Sequence, residues 1–286
     1  MAESTRKIHL RELTWQEAKA RAAESPTVVF PTGSIEQHGP HLPVETDSRL
    51  VWEVTRRAAE KVADRVNILV APELCFGYST HHRDFPGTMT LSGETYIRVM
   101  VELCESLIRN GFKRIFLLNG HGGNLDPLKI AARTLRDRHD DILVGAACYW
   151  SVASKVLRQV RESPVGGMCH GCELEASMMW YLRPELVKPE YFEKRIPTWR
   201  SPLMREDLLE SGEIKVAYHF SDISPKGVQG DPTLASREKG ERFLGLIVDE
   251  VAKMLVEFSQ MDLKNLITGV SADCHCTSTT NEQLDS

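Results

Sequence analysis

The chain has 286 residues, 42% of them hydrophobic and 26% charged, with a formal net charge of -5. That length and balance suit one large α/β domain with a proper core and exclude a minimal domain. No basic block tracks a phosphate backbone, and no run approaches the ~18 apolar residues of a membrane span, so nucleic acid and membrane are excluded as partners.

The N-terminal stretch "MAESTRKIHLRELTWQEAKARAAESP" has basic residues but no apolar h-region, so no signal peptide is read there. The seven cysteines are an odd number scattered through apolar runs, which suits reduced core thiols in a cytoplasmic protein. In chain order, "TVVFPTG" (27–33) is a buried strand, and 48–65 is an amphipathic helix with Leu50, Val51, Val54, Ala58 and Val62 near a 3.6 period. "NILVAPEL" is a second strand. "GETYIRVMVELCESLIRNG" is a helix that stops at Asn110-Gly111. "RIFLLNG" is a third strand, "LDPLKIAARTLRDRH" a helix, and "ILVGAACYW" a fourth strand. Strands alternating with helices of this length predict βαβ units, hence an α/β fold with a mostly parallel sheet covered on both faces. Residues 184–235 are irregular and rich in Pro and Gly, and read as loops or an edge hairpin. A last helix, "SREKGERFLGLIVDEVAKMLVEFSQ", closes a domain over 1–268. The polar stretch 269–286 has no periodicity and is read as a disordered tail.

Four stretches carry chemistry. In "PTGSIEQHGPHLPVETDSRL", Glu36 and His38 are two apart and share a side if the strand continues, and the Pro- and Gly-containing turn brings Asp47 back beside them. Carboxylate and imidazole together suit a borderline divalent ion, although a polar strand-to-helix loop with a solvated His fits the spacing equally well. In "FLLNGHGGN", His121 lies just past a strand's carboxyl end among Gly120, Gly122 and Gly123, which permit close approach of an ion or substrate. A phosphate loop is disfavoured, because no Lys-Ser/Thr pair follows. In "MCHGCELEASMMWYL", Glu173–Leu182 reads as helix, and His170 and Glu173 fall at i and i+3 with Glu175 pointing elsewhere. The CxxC there has no second CxxC to match, and packing thiols are favoured over a zinc or redox pair. In "GYSTHHRDFPGTMTLSGET", His81 and His82 follow the second strand. They are either solvated or line the mouth of the same site.

Together "PTGSIEQHGPHLPVETD", "GYSTHHRDFPGTMTL", "LLNGHGGN", "HGCELEAS" and "GVQGDPTLAS" resemble, in order, the creatininase family of metal-dependent amidohydrolases over roughly residues 10–260. The resemblance implies a three-layer α/β/α domain, a homo-oligomer (a hexamer by analogy) and two divalent ions, Zn, Mn or Fe. Glu36, His38, Asp47 and His121 resemble ligands, with Asp47 bridging. Creatininases proper carry a Glu where this chain has Gly123. Glu173 is taken as the substitute ligand, with Glu175 orienting a neighbouring group. His170 is read as the proton shuttle, and His82, Trp150, Gly122 and Gly123 as substrate-binding. Creatinine enzymes resemble one another in a Trp just before the His motif, where this chain has "SPVGGM", so the substrate is read as another small molecule. The implied reaction is hydrolysis of a C–N amide-type bond, other than an ordinary peptide bond, by water activated at two ions. Formamidopyrimidine deformylases and a peptide-trimming peptidase are further branches. A non-catalytic metal- or ligand-binding protein and a phosphatase-like hydrolase are the alternatives. Few Arg or Lys in the four stretches argue against a phosphate-centred site.

Overall fold

The computed structural model describes residues 6–263 and Leu266, so the tail at 269–286 lies outside the described residues. In order, the elements are α1 (Trp15–Ala23), β1 (Thr27–Thr32), α2 (Thr46–Val62), β2 (Ile68–Val70), α3 (Gly93–Arg109), β3 (Arg114–Asn119), α4 (Leu125–Arg138), β4 (Leu143–Cys148), α5 (Tyr149–Val152), α6 (Ser154–Val160), β5 (Met168–His170), α7 (Glu173–Leu182), α8 (Phe220–Ile223), β6 (Gln229–Gly230) and α9 (Arg237–Gln260). Strands β2-β1-β3-β4 form one parallel sheet, with Val29 opposite both Val70 and Phe116.

Side chains alternate across each strand, so each apolar run supplies two cores. Val28, Phe30, Leu69, Ile115 and Leu117 face α3 and α4, where they meet Met100, Cys104, Leu128 and Leu135. Val29, Ile68, Val70, Phe116 and Leu118 face the other layer, with Leu50 and Val54 of α2, Met178 of α7 and Ile247 and Val251 of α9. Each such buried side chain contributes about 1.5–3 kcal/mol of transfer free energy. The result is the α/β/α arrangement with a mostly parallel sheet. Among the described residues no helix is long and apolar enough to cross a membrane.

Two strands are shorter than their apolar runs. β2 stops before Pro72, which has no N–H for the ladder, and Leu74 rejoins Thr32 only through an isolated bridge. β4 stops at Cys148, and Tyr149 opens α5 instead. Residues 184–235 are mostly loops and short 3-10 turns. Their strand β6 pairs antiparallel with β5 rather than within a hairpin of its own.

Candidate metal centre

β1 and β3 are neighbours, and the chain leaves β1 for β2 on one side and β3 for β4 on the other. Open α/β sheets hold ligands beyond strand carboxyl ends at such a reversal. Glu36 and His38 follow β1, and His121 follows β3. Asp47 lies in the first turn of α2, and Glu175 in the first turn of α7, where a helix favours negative charge. Glycines let these ends meet. A Cβ on Gly33 would lie 2.6 Å from Ser48 Cα, and one on Gly120 2.6 Å from Val51 Cβ, so α2 can sit against both strand ends only without them.

Asp47 is central. Its Oδ1 is 3.0 Å from His38 Nε2, and its Oδ2 is 2.9 Å from His121 Nδ1. Glu36 Oε2 lies 3.1 Å from that same His121 nitrogen, and Glu175 Oε1 lies 3.9 Å from that same His38 nitrogen. Two groups therefore share Asp47: Glu36, Asp47 and His121, and His38, Asp47 and Glu175, each with ligand atoms within 4.8 Å. All five side chains are buried.

Backbone carbonyls orient both imidazoles. His38 Nδ1 donates to the Glu36 carbonyl at 3.1 Å, and His121 Nε2 donates to the Tyr78 carbonyl at 3.1 Å. In the neutral ring the remaining nitrogen then aims a lone pair at two carboxylate oxygens. Buried lone pairs facing one another are costly, and either a proton or a cation must stand between them. Without an ion the proton serves. Burial opposes charge on His38, but Asp47, Glu175 and Glu36 outweigh it and hold its pKa at about 9. Burial likewise opposes charge on His121, and Glu36 and Asp47 raise it well above the ordinary range. Asp47 is depressed, because the two imidazoles outweigh its burial, whereas burial raises Glu175 to about 7. Imidazole nitrogen with carboxylate oxygen is a donor set for a borderline divalent ion, and the residues present fit one in each group.

His82 and His170 stand on the other side of Glu36. His82 Nε2 is 3.3 Å and His170 Nδ1 is 3.6 Å from Glu36 Oε1. Burial holds both pKa values well below the ordinary histidine range. The Phe220 ring stacks on His82 with centroids 4.1 Å apart, roofing this side of the site from α8. Ser79 donates a short hydrogen bond to Glu36 Oε2.

The structure brings together Glu36, His38, Asp47, His121, His82, His170 and Glu175. It does not bring Glu173, and that expectation is corrected. Glu173 accepts from the Ser163 N–H at 2.8 Å and pairs with Lys239 Nζ at 3.0 Å, away from the cluster. The i, i+3 relation to His170 fails because His170 ends β5, and Gly171, at φ 58°, turns the chain before α7 begins. Trp150, expected in a pocket, is buried in the apolar core, edge-on to Tyr149 at 4.9 Å, because α5 packs it inward. Gly122 faces open space, while Gly123 is hemmed in by Tyr78, His121 and His81. His81 lies over His121 with centroids 5.5 Å apart. Cys169 and Cys172 are free thiols, as packing residues would be. Gln37 and Ser79 also line the site, and the sequence carries no local signal for Gln37 beyond its place between Glu36 and His38.

Known proteins carry the same architecture. The mycofactocin precursor peptide peptidase of Mycobacterium ulcerans is 30% identical over 241 residues, covering 82% of this chain and 86% of the relative. The creatinine amidohydrolase of Pseudomonas putida is 30% identical over 273 residues, covering 88% and 98%. A solved structure named "Creatininase Mn" superposes with a TM-score of 0.74 at 29% identity, covering 90% of this chain and 100% of that one. The family model described as "Creatininase: Creatinine amidohydrolase" matches residues 11–255, and the chain belongs to the creatininase family of hydrolases.

Proposed function

We propose that the protein hydrolyses a C–N amide-type bond of a small molecule or short peptide, using two divalent ions, Zn or Mn, one in each group that shares Asp47. The observation that carries this reading is Asp47 itself, whose separate oxygens face His38 and His121. When bound, such ions supply an activated water and polarise the scissile carbonyl. Glu36, Asp47 and Glu175 supply the negative charge that two cations require. His170 donates Nε2–H to the Gln37 carbonyl at 2.6 Å, which leaves Nδ1 as a base toward the site. There it takes the proton of the attacking water and returns it to the leaving nitrogen. Phe220 excludes bulk water from the two imidazoles.

The narrower reading, which set ordinary peptide bonds aside, is not kept, because a relative is named a peptidase. Creatinine is not singled out either: "SPVGGM" holds no Trp, and Trp150 is in the core. A homo-oligomeric, cytoplasmic enzyme is part of the same proposal. The test is release of amine or formate from cyclic amides, formamides and short peptides. Activity should vanish on chelation and return with Zn or Mn. Fully metallated protein that cleaves none of the panel would point instead to a binding protein.

A further inference from the structure

Glu36 has a second carboxylate oxygen, and a third set of metal-capable side chains gathers on it. Glu36, His82 and His170 bring ligand atoms within 4.8 Å of one another, all buried. By spacing this set matches the two that share Asp47, with two imidazoles and one carboxylate where each of those has one imidazole and two carboxylates. The protons decide otherwise, and Gln37 places them.

The Gln37 amide is held at both ends. Its Oε1 accepts from the Gly39 N–H at 2.8 Å, and its Nε2 donates to the Gly227 carbonyl at 3.0 Å. Turning the amide over would oppose N–H to N–H and oxygen to oxygen, so its orientation is fixed. The second Nε2 hydrogen has two imidazole nitrogens in reach, His82 Nδ1 at 2.7 Å and His170 Nε2 at 3.0 Å; His170 Nε2 carries its own proton towards the Gln37 carbonyl at 2.6 Å, so His82 Nδ1 is the acceptor. A neutral imidazole carries one N–H, so that of His82 sits on Nε2, which faces Glu36 Oε1 at 3.3 Å. The backbone of the same residue fixes His170. Its Nε2 lies 2.6 Å from the Gln37 carbonyl, an oxygen with no hydrogen, so Nε2 carries the proton and Nδ1 is bare.

We propose that Gln37 is a positioning residue that sets the tautomers of His82 and His170, so that a proton and not a third cation occupies Glu36 Oε1. Glu36 is thereby left to serve the Asp47 side of the site, and His170 keeps a free Nδ1. The use made of that base rests on the proposed function; the placement of the protons does not.

Two measurements test this. In metal-free wild-type protein labelled with 15N-histidine, two-bond N–H correlation spectra should show both His82 and His170 as the Nε2–H tautomer. Gln37→Glu replaces the donor by an acceptor of equal length, so the His82 proton should move to Nδ1 and leave Nε2 bare towards Glu36. That variant should bind one more equivalent of zinc per subunit than wild type after exhaustive dialysis, read by elemental analysis. A wild-type spectrum with His82 protonated on Nδ1 overturns the proposal. So does a folded Gln37→Glu variant with unchanged tautomers and zinc. If the variant does not fold, the wild-type spectrum decides alone. Expected tautomers in a protein that cleaves no amide would count against the hydrolase reading and leave this one standing.

Discussion

Glu173 and Glu175 stand two residues apart in the first turn of α7 and serve opposite sides of it. A helix turns about 100° per residue, so positions i and i+2 lie on nearly opposite faces. Glu175 reaches to 3.9 Å from His38, while Glu173 pairs with Lys239 at 3.0 Å. Glu175→Gln should lose one of two ions per subunit. Glu173→Gln should keep both and unfold more easily by about 1–2 kcal/mol, because a buried carboxylate loses its charge-assisted bond to Lys239, which keeps Glu162 at 2.9 Å and the Leu234 carbonyl. Elemental analysis and urea titration of both variants check this, and metal loss confined to Glu173→Gln would reverse the assignment.

His170→Ala should lower turnover by roughly 10²–10⁴-fold with metal content unchanged, since the shuttle goes and the two groups sharing Asp47 stay whole. Loss of an ion in that variant would make His170 a ligand.

Gly122 and Gly123 should differ sharply in their tolerance of a methyl group. A Cβ on Gly122 meets nothing within 4 Å, so Gly122→Ala should be near neutral. A Cβ on Gly123 would press on the Tyr78 carbonyl and lie 2.6 Å from His121 Nε2, disturbing the bond that orients His121. Gly123→Ala should therefore weaken metal binding by about 10–100-fold, measured by competition with a chromophoric chelator.

The metal-free protein should be most stable near pH 6.5. Burial depresses His41 and His81 from 6.5 to about 4, so below pH 6.5 the unfolded chain binds protons that the native state refuses, and stability falls towards pH 4. Glu175, raised by burial from 4.5 to about 7, opposes this over part of the range but is outnumbered. Above pH 6.5 the sign reverses. His38, held at about 9, keeps a proton the unfolded chain has lost, and its contribution disappears as pH rises through that value. Each group changes stability by about 1.4 kcal/mol per pH unit within its window. Loading zinc should flatten the alkaline limb, because the ion replaces the proton on Nε2. Urea midpoints between pH 4 and 9.5 measure both limbs, and a metal-free midpoint that climbs from pH 6.5 to 9 would contradict the picture.

Much of this was legible in the residues. Strands covered on both faces read as continuous apolar runs, so β1 and β3 stood out, and α7 has the bounds its sequence suggested. Asp47 was placed beside Glu36 by a turn that Pro and Gly announce. Helical spacing failed at Glu173 because it was extended through His170, across a change from strand to helix that Gly171 makes with a positive φ. Trp150 departs from the pocket position expected for it because nothing local shows that the chain turns helical at Tyr149 and carries the indole into the core. Gln37 was invisible for another reason. Its side chain meets His82 and Gly227, and its carbonyl meets His170, 45, 190 and 133 positions away, and no periodicity registers contacts made by folding alone.

Anomalous diffraction from zinc-loaded crystals, recorded on both sides of the zinc edge, bears on the whole picture most directly. Two peaks should flank the Asp47 carboxylate, one against His38 and Glu175 and the other against Glu36 and His121, with none between His82 and His170. A single peak, or density on Glu173, would contradict it.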